Sequence, residues 1–327
     1  MAVIDPERLA AGVLAGERAA LSRAITLVES TRRDHRTAAS ILLDRLAPHA
    51  GGAIRIGLTG IPGAGKSTLI DHFGAQLTAA GHRLAVLAVD PSSQRSGGAI
   101  LGDKTRMARL AIDPAAFVRP SPTSGTLGGV AARSRETLLL CEAAGFDVVI
   151  VETVGVGQSE AAVADMVDLF VLLMLPGGGD ELQGIKKGVV EIADIIAVNK
   201  ADGDRAEPAR QAAAEIRAAL DIVGRGDAEG PPPVLTLSGE TGAGLSELWA
   251  VIGDLRRRRE ASGAFAARRA SQNVSWLWSA LEDGLRQALL AAPGIAEAIA
   301  TGEADARDGR RAAPAIAEAI LSAFTAR

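Results

Sequence analysis

Residues 54–68 read Ile54-Arg55-Ile56-Gly57-Leu58-Thr59-Gly60-Ile61-Pro62-Gly63-Ala64-Gly65-Lys66-Ser67-Thr68. The first six residues form a short apolar run, which predicts a buried strand. Gly60 to Ser67 fits the pattern G-x-x-x-x-G-K-[ST], and residues 66–80 have helical character. Strand, glycine-rich loop and helix in that order predict a phosphate-binding loop. Its glycines let backbone N–H groups turn inward around phosphates. Lys66 is expected to reach the β and γ phosphates, and Ser67 to place its hydroxyl on Mg²⁺. The helix N-terminus adds the positive end of its dipole. Ile61, Pro62, Ala64 and Thr68 complete the expected nucleotide cradle.

Moving outward, further short runs rich in Val, Ile and Leu stand at 84–90, 147–152, 169–175, 195–199 and 234–237. Most are separated by stretches of helical character, such as 133–144, 181–194 and 208–222. That alternation predicts an α/β fold: a P-loop domain with a mostly parallel sheet covered by helices on both faces. A helix near 244–260 is expected to close it. Residues 1–50 read as a helical extension, with Leu9, Val13, Leu21, Ile25 and Val28 near one face and a second helix at 38–46. Gly51 and Gly52 mark the boundary. The tail, 261–327, is helical again. One stripe is Val274, Leu277, Leu281, Leu285 and Leu289, and another is Ile316, Ile320 and Phe324. So short a tail is expected to pack on the main domain or on a second subunit.

Composition excludes several classes. The net charge is −4 and no polybasic arm is present, which argues against nucleic-acid binding. One cysteine, Cys141, excludes an intrachain disulfide framework and reads as a small core residue. No apolar run is long enough to span a membrane, and the N-terminus lacks a signal-peptide pattern. The expectation is a soluble cytoplasmic protein with neither nucleic acid nor membrane as partner. Lysine is scarce: 30 of 35 basic residues are Arg, and the five lysines all lie between 66 and 200. Arg256–Arg259 reads as a solvated helix face, since Asp254 and Glu260 flank it.

The base-reading signal is Asn199-Lys200-Ala201-Asp202 at the end of the 195–199 strand. An Asp carboxylate can accept from both N1–H and the amino group of guanine, a pair that adenine cannot offer. Lys200 would lie along the base. Ser238-Gly239-Glu240 ends the next strand and joins that site. Three acids lie between the two loops. Asp90 and Glu152 end strands, and Asp103 sits in Leu101-Gly102-Asp103-Lys104; a carboxylate so placed can hold Mg²⁺. Asp103 also reads as an N-cap for a helix at 104–111. Gln158 is a candidate for orienting water. Pro176-Gly177-Gly178-Gly179-Asp180 reads equally as a nucleotide-sensing switch or as a plain turn.

With these motifs assembled, the chain resembles the MeaB family (also called ArgK), GTPase chaperones of adenosylcobalamin-dependent acyl-CoA mutases. The resemblance runs through residues 23–30, 60–68, 89–107, 122–131, 151–160, 176–188 and 199–204. It implies a SIMIBI-class P-loop domain with helical extensions at both ends, the C-terminal one a homodimerisation arm. In that family residues matching Ser67, Asp90, Asp103 and Glu152 surround Mg²⁺ and the γ-phosphate. The resemblance further implies GTP and GDP as ligands and an adenosylcobalamin-dependent mutase as partner, most often methylmalonyl-CoA mutase. The protein would gate cofactor loading and protect the mutase from inactivation, with 176–188 as a switch. No intrinsic arginine finger is identifiable, so slow turnover is expected until a partner orders the switches. Three alternatives stay open: a nickel-type metal-insertion GTPase, a kinase, and a nucleotide-dependent scaffold.

Overall fold

The computed structural model describes residues 4–30, 32–89, 107–119, 127–153, 159–177, 187–223 and 230–326. Its contacts divide the chain into two units, Met1–Gln272 and Asn273–Arg327.

The first unit is built on a seven-stranded parallel sheet. The strands are β1 (Ile54–Gly60), β2 (Leu84–Val89), β3 (Ala116–Arg119), β4 (Val148–Thr153), β5 (Leu169–Met174), β6 (Ile195–Val198) and β7 (Val234–Thr236). Their order across the sheet is β3-β2-β4-β1-β5-β6-β7. β2, β4, β5 and β6 are buried along their whole length, so each reads as an unbroken apolar run. β1 lies between β4 and β5, with Leu58 opposite Glu152 and Gly60 opposite Leu173. The strand order reverses around β1, and open α/β sheets bind ligands at the carboxyl ends of strands at such a switch point.

The helices of this unit are α1 (Pro6–Leu14), α2 (Arg18–Val28), α3 (Arg33–Leu46), α4 (Lys66–Ala79), α5 (Ala108–Ile112), α6 (Leu127–Ala143), α7 (Ser159–Ala164), α8 (Lys187–Ile192), α9 (Ala206–Val223) and α10 (Leu245–Ala261). α1 starts because Asp5 accepts from the N–H of Glu7 and Arg8 at 3.0 and 3.1 Å, with Pro6 in the first turn. The sequence suggested a single helix across this region. The chain instead turns at Gly16, which takes φ +74° and lets Glu17 N–H donate to Gly12 O at 3.0 Å. α1, α2 and α3 pack on one another and on α6. The sequence reading also missed β3. Four residues on one sheet edge, paired with β2 alone, are too few to carry a periodic signal.

The amino ends of the strands share one device. Asp147, Asp168 and Asp194 immediately precede β4, β5 and β6, and each accepts a neighbouring backbone N–H. The donors are Arg83 at 2.7 Å, Arg55 at 2.8 Å and Phe170 at 2.7 Å. Arginines then close over two of these acids and over Glu142. Arg259 of α10 reaches Asp194 at 2.6 Å and the carbonyl of Asp168 at 3.0 Å. Arg269 forks onto Asp168 at 2.8 and 2.7 Å, and Arg55 forks onto Glu142 at 2.8 and 2.9 Å. The run Arg256–Arg259 is therefore not a uniformly solvated face. Arg256 pairs with Glu260, and Arg257 and Arg258 pair with Asp254 near the surface, but Arg259 is buried. The fourth arginine falls on the sheet-facing side of α10, a matter of helical phase that the charge run conceals. Cys141 is fully buried in α6, and burial pushes its thiol well above the usual range.

In the second unit, the helix α11 (Ala264–Ala291) continues from Asn273, followed by α12 (Ile295–Arg307) and α13 (Ala313–Thr325). α12 and α13 cross closely at Gly302, where any side chain would strike Ile316. Val274, Leu277, Trp278, Leu281 and Leu285 are all exposed on α11. No helix among the described residues is long and apolar enough to cross a membrane.

Candidate functional site

The loop at the tip of β1 is closed by contacts of its own. Gly60 lies against β5, where a side chain would come within 2.5 Å of the carbonyl of Leu173. Lys66, the first residue of α4, is almost fully buried. Its Nζ donates to the carbonyls of Gly60 at 2.7 Å and Ile61 at 3.3 Å. Burial pushes its pKa down from the ordinary lysine value, while the nearby carboxylates of Glu152 and Glu160 act in the opposite sense. Pro62 and Gly63 form the exposed lip of the loop, Thr68 is also exposed, and Ala64 is buried. Ser67 Oγ donates to Glu152 Oε1 at 3.2 Å. Glu152 is itself buried near the end of β4, and Thr153 Oγ1 donates to Thr59 Oγ1 at 2.8 Å across the β4–β1 junction.

The second loop is tied to the first through Asn199. Its Nδ2 donates to the carbonyl of Ala64 at 2.7 Å, and its Oδ1 accepts from Gly239 N–H at 2.9 Å. Gly65 takes φ +87°, and a side chain there would lie 2.7 Å from Asn199 Nδ2. The third loop thus joins the first two through one buried amide. Lys200 has φ +60°, the one positive φ outside glycine among the described residues. A left-handed backbone at such a residue costs about 1–3 kcal/mol and clusters at functional sites. The lysine stem passes over Gly65, its Cε 3.9 Å from where a Cβ would stand. Ala201 N–H donates to the carbonyl of Leu237 at 3.0 Å, which anchors the half-buried Asp202 beside the 238–240 loop. Ser238 is buried and its Oγ accepts from Thr241 N–H at 3.1 Å, whereas Glu240 is exposed.

The structure therefore brings Gly60–Ser67, Glu152, Asn199, Lys200 and Gly239 together at the carboxyl ends of β1, β4, β6 and β7. Asp90, Asp103 and Gln158 lie outside the described residues, as does most of the 176–188 segment. Sequence reasoning singled out neither Glu160, which is buried and acts on Lys66, nor His72, whose Nδ1 lies 2.6 Å from the carbonyl of Gly239. Glu160 stood in the 151–160 stretch and was open to notice. His72 carried no signal, because its contact is made with a loop 167 residues away.

A doubly covered parallel sheet, with a phosphate loop at the tip of its central strand and an Asn-Lys-x-Asp loop two strands away, has the architecture of a P-loop GTPase. Residues 21–294 match the family described as methylmalonyl Co-A mutase-associated GTPase MeaB. A Caulobacter vibrioides protein named as a GTPase is 56% identical over 321 residues, covering 98% of each chain. The GTPase ArgK of Escherichia coli is 51% identical over 276 residues, 84% of this chain and 83% of that one. Among solved structures, one described as an LAO/AO transport system kinase is 37% identical with a TM-score of 0.75, covering 99% of this chain and all of that one. The chain belongs to the MeaB family of GTPases, and it is a GTP hydrolase.

Proposed function

We propose that this GTPase gates adenosylcobalamin loading onto an acyl-CoA mutase, methylmalonyl-CoA mutase first among them, and protects that enzyme from inactivation. The observation that carries this reading is the match to the mutase-associated family across 21–294, which spans all three nucleotide loops. In hydrolysis, water attacks the γ-phosphate and GDP leaves. Lys66 exchanges its two carbonyl partners for phosphate oxygens, and the N–H groups of 60–67 face the same charge. Asn199 holds the phosphate and base loops in register, Asp202 accepts from guanine, Lys200 covers the base and Gly239 lines its edge. The Ser67 hydroxyl and Glu152 carboxylate are hard oxygen donors that already meet, which is the chemistry Mg²⁺ takes. They would hold it together with Asp90 and Asp103, and the ion would neutralise charge on the phosphates. Gln158 is assigned the orientation of water, and the segment 176–188 the switch that reports the nucleotide to the mutase.

The exposed apolar stripe of α11 supports a homodimer formed through the C-terminal helices. Light scattering of the intact chain is expected to give twice the 33.5 kDa protomer mass. Phosphate release from GTP, measured with and without an adenosylcobalamin-dependent acyl-CoA mutase from the same cells, tests the partner. Slow turnover alone and stimulation of at least about tenfold are expected, since partner-ordered GTPase sites gain far more than that. An unchanged rate with every such mutase, with GTP still bound tightly, would remove the mutase from the proposal.

A further inference from the structure

One polar contact beside the nucleotide loops has no part in the function described above. His72 lies on α4, half-buried, with Nδ1 2.6 Å from the carbonyl oxygen of Gly239. A carbonyl only accepts, so Nδ1 carries the proton and His72 is the donor. The same residue of the loop is pressed onto the helix. A Cβ at Gly239 would stand 3.0 Å from the backbone N and Cα of Leu69. Its N–H is already held by Asn199 Oδ1 at 2.9 Å, and Asn199 holds the phosphate loop through Ala64. Gly239 is thus fixed at both of its polar groups. One anchor belongs to the Asn-Lys-x-Asp loop and the other to the body of α4.

We propose that His72 is a positioning residue for base selectivity: it pins the 238–240 loop to α4 in the conformation that meets guanine. This rests on the reading that 238–240 lines the base site. With the His72 anchor gone, Gly239 keeps one hydrogen bond, and the loop can pivot about Asn199. Ordering it then becomes a cost of binding the base. The phosphate end keeps its own partners, because Lys66 bonds to Gly60 and Ile61 and Ser67 bonds to Glu152. The effect therefore divides the ligand in two, weakening the grip on the base and leaving the grip on the phosphates.

Two substitutions separate the donor from the bulk. His72→Leu keeps an apolar body on the helix and removes the N–H. His72→Asn puts an amide N–H close to where Nδ1 stood. Affinity and off-rate are read with fluorescent GDP, and with ADP and inorganic pyrophosphate as competitors. His72→Leu is expected to weaken GDP about fivefold, mainly through the off-rate, as one net hydrogen bond would. It should narrow the GDP-to-ADP ratio and leave pyrophosphate within about twofold, and His72→Asn should restore most of the loss. An unchanged GDP-to-ADP ratio in His72→Leu overturns the proposal. So does equal weakening of GDP and pyrophosphate, which would mark a general structural role, and so does an Asn variant as poor as Leu. If the unsubstituted protein fails to distinguish GDP from ADP, the base-site reading itself is wrong, and the role of His72 falls with it.

Discussion

Lys66→Ala is expected to lower GTP hydrolysis at saturating nucleotide by at least about a hundredfold, the scale of removing one preorganised charge from a phosphoryl-transfer site. The same substitution should leave the melting temperature unchanged or slightly raised. The two halves follow from one fact. Lys66 is buried, and burial holds its pKa below the ordinary value, so folding disfavours the ammonium. That penalty is present in full below the lowered folded pKa, where the lysine is charged in both states, and it fades as pH rises through that value toward the ordinary lysine pKa. Removing the ammonium at neutral pH relieves that penalty, which offsets the loss of its hydrogen bonds to the carbonyls of Gly60 and Ile61. What is lost is a cation already aimed at the loop interior, satisfied by the carbonyls of Gly60 and Ile61 until phosphate oxygens replace them. Lys66→Arg should fail almost as badly, because a planar guanidinium cannot take the place of a compact ammonium that converges on the carbonyls of Gly60 and Ile61. In a chain whose other basic residues are mostly arginine, the lysine at this position answers to that shape. Single-turnover phosphate release with parallel calorimetry checks both halves. A rate within tenfold of the unsubstituted protein, or a clear fall in melting temperature, would contradict the argument.

Asp194→Ala is expected to destabilise the first unit by about 3–5 kcal/mol, the cost of leaving a buried partner charge uncompensated. For a unit of this size that is a fall of about 10 °C in melting temperature. Asp194 does two things at the floor of the sheet. It accepts the N–H of Phe170 at 2.7 Å and pairs with Arg259 at 2.6 Å, and both side chains of the pair are buried. Truncation takes the carboxylate away from the guanidinium and the acceptor away from a strand N–H together. The double substitution Asp194→Ala with Arg259→Met should recover a large share of the loss, since an apolar residue of similar length removes the stranded charge. Guanine-nucleotide affinity at temperatures where the variant is folded should stay close to normal, because the floor lies at the opposite ends of β5 and β6 from the loops. A shift below about 2 °C, or a double variant less stable than the single, would show that the pair carries little of the stability.

What the sequence determined by itself was chiefly local. The phosphate loop, the Asn-Lys-x-Asp tetrad and six of the seven strands are contiguous patterns, each set by backbone demands within a few residues. The glycines of 60–65 are legible because φ and close approach leave no room for other side chains. The run 169–174 is legible because a strand buried on both faces must be apolar throughout. Placement was another matter. That Asn199 spans from Ala64 to Gly239, that His72 meets the same glycine, and that Arg259 leaves its neighbours to grip Asp194 are long-range facts. Each depends on the parallel crossovers that set β1 between β4 and β5 and carry α4 and α10 onto the sheet. β3 likewise became a strand only by pairing with β2 at one edge. Sequence fixes which residues can do phosphate and base chemistry, since that is written in residue type and spacing. Which buried polar groups hold them in place is decided by the tertiary structure, because a buried donor must find its acceptor wherever the fold provides one.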